Sequence, residues 1–139
     1  MNRTTQKLYR PKIGKWKKSH IDLSSSTSTL GSTKSVTILI SALDEEASIS
    51  NTYRKAKSAL TGMNIDHQII LINDGSRDST MEVMNSIQKR DSKVQVIHHL
   101  TPRGIGFGYK EGIRNSTKEY FMYLPGDDDF EEKSIRAVL

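Results

Sequence analysis

Tyr120-Phe121-Met122-Tyr123-Leu124-Pro125-Gly126-Asp127-Asp128-Asp129 is the stretch on which the fold turns. Five apolar or aromatic residues bounded by Pro-Gly read as a buried strand, and its end delivers three consecutive acids to the edge of a sheet. Adjacent carboxylates without a neighbouring Lys or Arg repel one another. A divalent cation would neutralise them, because hard cations such as Mg2+ take carboxylate oxygens and leave positions open for substrate phosphates. If the local chain is extended, Asp128 points away from Asp127 and Asp129. The plainer alternative is a solvated acidic turn capping a helix that starts near Glu131.

Upstream the pattern repeats. Val36-Thr37-Ile38-Leu39-Ile40 is rich in β-branched residues and predicts a buried strand, followed by the polar turn Ser41-Ala42-Leu43-Asp44. Ile49, Tyr53, Ala56 and Leu60 recur at helical spacing, with Glu45 and Glu46 expected in the first turn and Gly62 as the stop. Gln68 to Ile72 predicts a second strand closed by Asn73-Asp74-Gly75-Ser76. Ser79-Thr80-Met81-Glu82 has the form of a capping box before a helix whose stripe is Val83, Met84 and Ile87. Val94 to Ile97 is a third strand, ending at His98 and His99. Gly104, Gly108 and Gly112 then recur every fourth residue and would leave one bare helix face, which lets backbone or ligand approach. The spacing is neither a Walker A loop nor G-x-G-x-x-G, since Tyr109 stands where the third glycine belongs.

Strands alternating with helices imply βαβ crossovers and an α/β, Rossmann-like parallel sheet with helices on both faces. In such a sheet all strand-to-helix loops emerge on one edge, where ligands bind near the point at which strand order reverses. Here those loops are Ser41 to Glu45, Asn73 to Arg77, His98 to Gly106 and Pro125 to Asp129. They gather six acids (Asp44, Glu45, Asp74, Asp127, Asp128, Asp129), the polar groups of Ser41, Asn73 and Ser76, and the cation of Arg103. Carboxylates able to hold a metal, an arginine and a glycine-lined helix start suit a phosphate-bearing ligand. No Ser-His-acid or Cys-His set has a plausible arrangement, and the two histidines read as structural.

The 139 residues, 35% hydrophobic, suit one modest domain, and no stretch approaches the roughly 20 apolar residues of a membrane span. With no cysteine, disulfides and thiolate metal sites are excluded. Charge divides unevenly. Residues 1 to 34 carry eight Lys or Arg against Asp22 alone, and the rest of the chain has net charge −2. The Ser24 to Thr29 run and the lack of a period predict a disordered, dispensable arm over residues 1 to 34. Its basic block, interleaved with Leu8, Tyr9, Ile13 and Trp16, has the chemistry to touch an anionic membrane surface or nucleic acid. The expected location is cytoplasmic and peripheral at the cytoplasmic membrane face, with no nucleic-acid partner.

Four motifs now stand in order: Val36 to Glu46, Ile72-Asn73-Asp74-Gly75-Ser76-Arg77-Asp78-Ser79-Thr80, Arg103-Gly104-Ile105-Gly106 through Gly112, and Leu124-Pro125-Gly126-Asp127-Asp128. Together they resemble the nucleotide-sugar-binding half of an inverting family 2 glycosyltransferase of the GT-A fold, over residues 35 to 139. The resemblance implies a donor that is a UDP- or GDP-linked sugar, a Mg2+ or Mn2+ cofactor, and an acceptor such as a glycan or polyprenyl phosphate. It also implies roles. Ser41, Ala42 and Glu45 would line the nucleoside pocket, Asn73 and Asp74 would meet the base, and Arg103 would reach the base or diphosphate. Asp127 would hold the metal, and because Pro125 occupies the place of the motif's first acid, either Asp129 is its partner or the metal is held mostly through Asp127 and the donor diphosphate. Ser41 and Asp44 replace a frequent proline and asparagine. No catalytic residue is assigned, the general base being expected beyond residue 139 in an acceptor half that this chain lacks. A receiver-like, non-enzymatic binding module is the alternative, although His98-His99 stands where a receiver carries its lone acid. A nucleotidyltransferase would carry a glycine-rich basic loop after the first strand, where this chain has Ser-Ala-Leu-Asp-Glu.

Overall fold

The computed structural model describes residues 34–139. The basic arm expected over residues 1 to 34 lies outside them but for Lys34. Four strands alternate with four helices: β1 (Ser35–Ala42), α1 (Ile49–Leu60), β2 (Asp66–Asp74), α2 (Thr80–Arg90), β3 (Val94–His99), α3 (Ile105–Asn115), β4 (Tyr120–Pro125) and α4 (Glu132–Val138). All pairings are parallel and the strand order is β3-β2-β1-β4. The α/β, Rossmann-like sheet expected from the sequence is therefore present.

The order has a consequence for function. From β1 the chain steps outward to β2 and β3, then returns to lay β4 on the other side of β1, so the reversal falls between β1 and β4. The crevice of such a sheet opens above the carboxyl ends of those two strands.

The strands' period of two sorts their side chains into two layers. Val36, Ile38 and Ile40 of β1 and Ile69 and Leu71 of β2 face one way, against Ala56, Ala59 and Leu60 of α1, Met84 and Ile87 of α2, and Ile135 of α4. Leu39, Ile70 and Ile72 face the other way, flanked by Ile97, Phe121 and Tyr123, and here α3 is the only covering helix among the described residues.

The glycines of α3 explain how that single helix packs. A Cβ on Gly112 would stand 2.6 Å from Leu39 Cδ2, and one on Gly108 would stand 3.7 Å from Ile72. The bare face expected from the sequence thus receives the sheet at Gly112, while Gly108 touches Ile72 and also borders the cavity at the carboxyl end of the sheet. At Gly112 a side chain would collide with Leu39, so the close approach of helix to sheet requires glycine there, whereas at Gly108 a Cβ would make only an ordinary contact.

Two expected helix starts differ. Ser79 precedes α2, yet its side chain makes no capping bond. Instead Glu46 accepts the Ser79 N–H at 2.8 Å and Asp78 accepts the Thr80 N–H at 2.9 Å. A carboxylate from the neighbouring loop satisfies the orphan donors better than the local capping box. Glu45 and Glu46 also stand ahead of α1, whose first turn holds no acid. Gly62 does end α1, at φ 76°, and Arg136 of α4 donates to the free carbonyls of Ala59 and Thr61 at 3.2 and 3.0 Å.

Candidate functional site

At the crevice, backbone contacts first lock β4 to β1. The Gly126 N–H donates to the Ser41 carbonyl at 2.9 Å, and a Cβ on Gly126 would stand 2.8 Å from the Ala42 Cβ. Only glycine allows the acidic turn to cross so close to β1. Below it the Ser41 hydroxyl and the Tyr123 hydroxyl are 2.9 Å apart. Between these ends, β2 and the start of α3 lies a cavity of about 260 Å3. Ala42, Leu43, Ile72, Ile105 and Tyr123 line it, with Ser41, Asp74 and Gly104 beside them. A larger cavity of about 360 Å3 opens at the opposite end of the sheet around Val36, Ile65, Met122 and Leu139. No cluster of acids or amides converges there.

Asp74 is the most heavily engaged group of the site. Its carboxylate accepts the Arg103 N–H at 2.9 Å, the Gly104 N–H at 2.8 Å and a bond from His99 Nδ1 at 2.6 Å. Burial works against its charge, but these donors outweigh burial and hold its pKa below the usual carboxylate value. The next residue, Gly75, stands at φ 78°, where a Cβ would lie 2.6 Å from the Pro102 nitrogen. The β2 turn and the loop that carries Arg103 are consequently packed as one piece.

The other expected site residues divide. Ser41, Ala42 and Asp74 line the cavity. Asn73 is buried and accepts the Ser76 N–H at 3.1 Å, fixing the turn. The Glu45 carboxylate bonds the Ser48 hydroxyl, while its N–H donates to the Thr80 hydroxyl at 2.8 Å. Neither Asn73 nor Glu45 lines the cavity. Arg103 lays its guanidinium over the Phe107 ring, 3.7 Å from the centroid.

The three acids also part company. Asp128 is left-handed, at φ 66°, not extended. Its carboxylate bonds Asn51 and lies 3.0 Å from the Lys55 ammonium, both on α1. The hydrogen bond from Asn51, more than the Lys55 charge, lowers its pKa. Asp127 and Asp129 are exposed, and Asp127 accepts the Asp129 N–H at 3.2 Å. Neither forms an ion pair among the described residues, and no cluster of three or more acid, His or Cys side chains forms a metal cage there. Two unpaired carboxylates with no third protein ligand fit a cation that completes its shell with phosphate and water oxygens.

Sequence reasoning missed Tyr123, Gly126 and the anchoring of Asp128. Tyr123 was accessible to it, since the register Leu39↔Tyr123 places it two residues before Pro125 on the same face as Ser41. The pairing of Asp128 with Lys55 spans 73 residues and left no local signal.

Known proteins resemble this chain in sequence and in fold. The chain is 30% identical over 71 residues to Glycosyltransferase GlyG of Streptococcus pneumoniae, covering 51% of this chain and 24% of that one. It is 22% identical over 112 residues to the dolichol-phosphate mannosyltransferase of Mycosarcoma maydis, covering 78% and 38%. Across such relatives it spans between 18% and 38% of their length. A mannosyltransferase from Pyrobaculum calidifontis, solved with GDP-Man and Mn2+, superposes with a TM-score of 0.61 at 14% identity, covering 74% of this chain and 31% of that one. S. aureus TarS with UDP-GlcNAc gives 0.58 at 13%, covering 75% and 30%. Both share its GT-A fold. The profile of Glycosyl transferase family 2 matches residues 37–139, from the first strand through the acidic turn and the last helix, and the chain belongs to that family.

Proposed function

We propose that this domain binds the nucleoside diphosphate of a sugar donor at the carboxyl edge of the sheet and serves metal-assisted, inverting transfer to an acceptor hydroxyl. One observation carries the reading: the apolar cavity at the β1–β4 reversal has Asp74 in its wall, and the turn bonded to its Ser41 through Gly126 carries two carboxylates, Asp127 and Asp129, without an ion-pair partner among the described residues. Ala42, Leu43, Ile72 and Ile105 give a flat apolar slot for a base, with the Ser41 and Tyr123 hydroxyls as polar partners. Arg103, on the loop beside the cavity, would supply positive charge to the diphosphate, and Asp127 with Asp129 would hold Mg2+ or Mn2+. That cation, when bound, supplies positive charge to the departing nucleoside diphosphate. No catalytic base is assigned among residues 34–139.

The relatives solved with UDP-GlcNAc and GDP-Man support UDP or GDP as the nucleotide. A glycan or polyprenyl phosphate acceptor is supported by the likeness to a dolichol-phosphate mannosyltransferase. The basic residues before Ser35 support contact with an anionic membrane face from the cytoplasmic side. Among the described residues no helix is long and apolar enough to cross a membrane.

Calorimetric titration of UDP and GDP with Mn2+ tests the reading. Asp74→Ala is expected to weaken binding by about 1 to 3 kcal/mol, since it frees the loop that carries Arg103 and removes a buried acceptor. Absence of binding by a folded sample of the unaltered chain would remove the proposal.

A further inference from the structure

The donor reading leaves the buried imidazole of His99 without a role. Its Nδ1 lies 2.6 Å from Asp74 Oδ1 at the end of β2, and its Nε2 lies 2.6 Å from Glu111 Oε2 on α3. A neutral imidazole has a single N–H and can donate to only one of these carboxylates, whereas an imidazolium donates to both. The Phe107 ring of α3 meets it edge-on at 5.3 Å, and the same ring carries the Arg103 guanidinium. Asp74 from β2 and Glu111 from α3 are the ionisable groups bonded to it. Its neighbour His98 bonds Asn85 instead, at 3.2 Å.

We propose that His99, as an imidazolium shared by Asp74 and Glu111, is a positioning residue that fixes the loop carrying Arg103 and so tunes donor affinity with pH. The ring holds the Asp74 carboxylate where it receives the Arg103 and Gly104 N–H groups, tying β2, the loop and α3 together. The consequence for the donor rests on the function proposed above. The clamp itself does not.

The direction of the pH effect follows from both partners. Burial disfavours the imidazolium, but the bonds to Asp74 and Glu111 outweigh it and raise the His99 pKa above its ordinary 6.5. The pKa of Asp74 is lowered. The clamp is therefore complete at pH values above the lowered Asp74 pKa and below the raised His99 pKa. It opens as pH rises through the latter, when a ring lone pair comes to face a carboxylate.

The test uses the full 139-residue chain. Imidazole NMR should show His99 titrating above the ordinary 6.5, with both nitrogens protonated on the acid side of that titration. As pH rises through the His99 titration, the protection factors of the Arg103 and Gly104 amides and the affinity for UDP or GDP with Mn2+ should fall together, by about tenfold. Glu111→Gln, which keeps the bond but removes a charge, should move all three midpoints to lower pH. A His99 that titrates at or below 6.5, or amide protection that ignores its titration, overturns the clamp. Nucleotide affinity that stays constant while the amides follow His99 overturns its link to the donor. No nucleotide binding at any pH, with the amides still following, overturns the proposed function and leaves the clamp standing.

Discussion

The two edges of the sheet use charge and backbone in opposite ways. At the amino-terminal edge acids are neutralised in place: Asp66 is held by Lys93 at 3.3 Å and Lys118 at 2.5 Å, and Asp91 by Lys57 at 2.7 Å and the Tyr53 hydroxyl at 2.8 Å. At the carboxyl edge Asp127 and Asp129 have no cation among the described residues. Left-handed backbone divides in the same way. Among the described residues four of the five positive φ values fall on the carboxyl edge, at Gly75, Gly104 and the two strained positions Asp44 and Asp128, and only Gly62 falls on the other. Strain and unpaired charge persist only where surrounding structure enforces them, and here they coincide at the edge read as the donor site.

Matched glycines give the largest test of that division. Gly75 and Gly62 have nearly equal φ, 78° and 76°, but a Cβ on Gly75 meets the backbone of Thr101 and Pro102 at 2.6 Å while one on Gly62 meets nothing within 4 Å. Urea denaturation should show Gly75→Ala costing about 2 to 4 kcal/mol, overpacking added to strain. Gly62→Ala should cost about 1 kcal/mol, the strain alone. Equal losses would mean that the carboxyl edge yields as easily as the other.

Next come the acids. Asp128→Ala should cost roughly 0.5 to 1 kcal/mol, because its half-exposed link to Lys55 and Asn51 ties the turn to α1. Asp127→Asn should leave the melting temperature unchanged or slightly raised, yet remove the Mn2+-dependent part of nucleotide affinity. The reverse outcome, metal dependence lost with Asp128 and kept with Asp127, would shift the metal motif by one residue.

The amino-terminal edge should answer mainly to acid. Burial opposes the charge of Asp91, but the bonds from Lys57, the Lys93 backbone and Tyr53 outweigh it and bring its pKa to about 2. Its contribution is thus present above the ordinary value of 3.8 and is lost as pH falls from there toward about 2. Asp91→Asn should flatten acid unfolding across that window. Asp66→Asn, on a fully exposed ion-pair triad, should have the smallest effect of all, and one that vanishes at high salt.

Why some of this was legible in the sequence follows from the range of the forces. β1 and β2 announce themselves through Ile38 to Ile40 and Ile69 to Ile72, because strands buried on both faces have little choice but continuous apolar runs. The alternation with helices then fixes a parallel sheet and collects Ser41, Asp74 and Asp127 on one edge. What the side chains do there depends on partners far along the chain. Glu46 caps α2 across 33 residues, Asp74 reaches 25 residues to His99, and Asp128 reaches back to Asn51. A local capping box or an alternating acidic strand end is the natural reading until those contacts exist.

Among the described residues β4 pairs only with β1, so its outer side presents a row of free amide and carbonyl groups beside Tyr120, Phe121, Met122 and Tyr123. An uncovered, aromatic, uncharged strand edge is a template for another strand. The run that positions the acidic turn is therefore also the most adhesive border of the described domain. Within residues 34–139, a further strand laid along that border would pair the ladder that β4 leaves open.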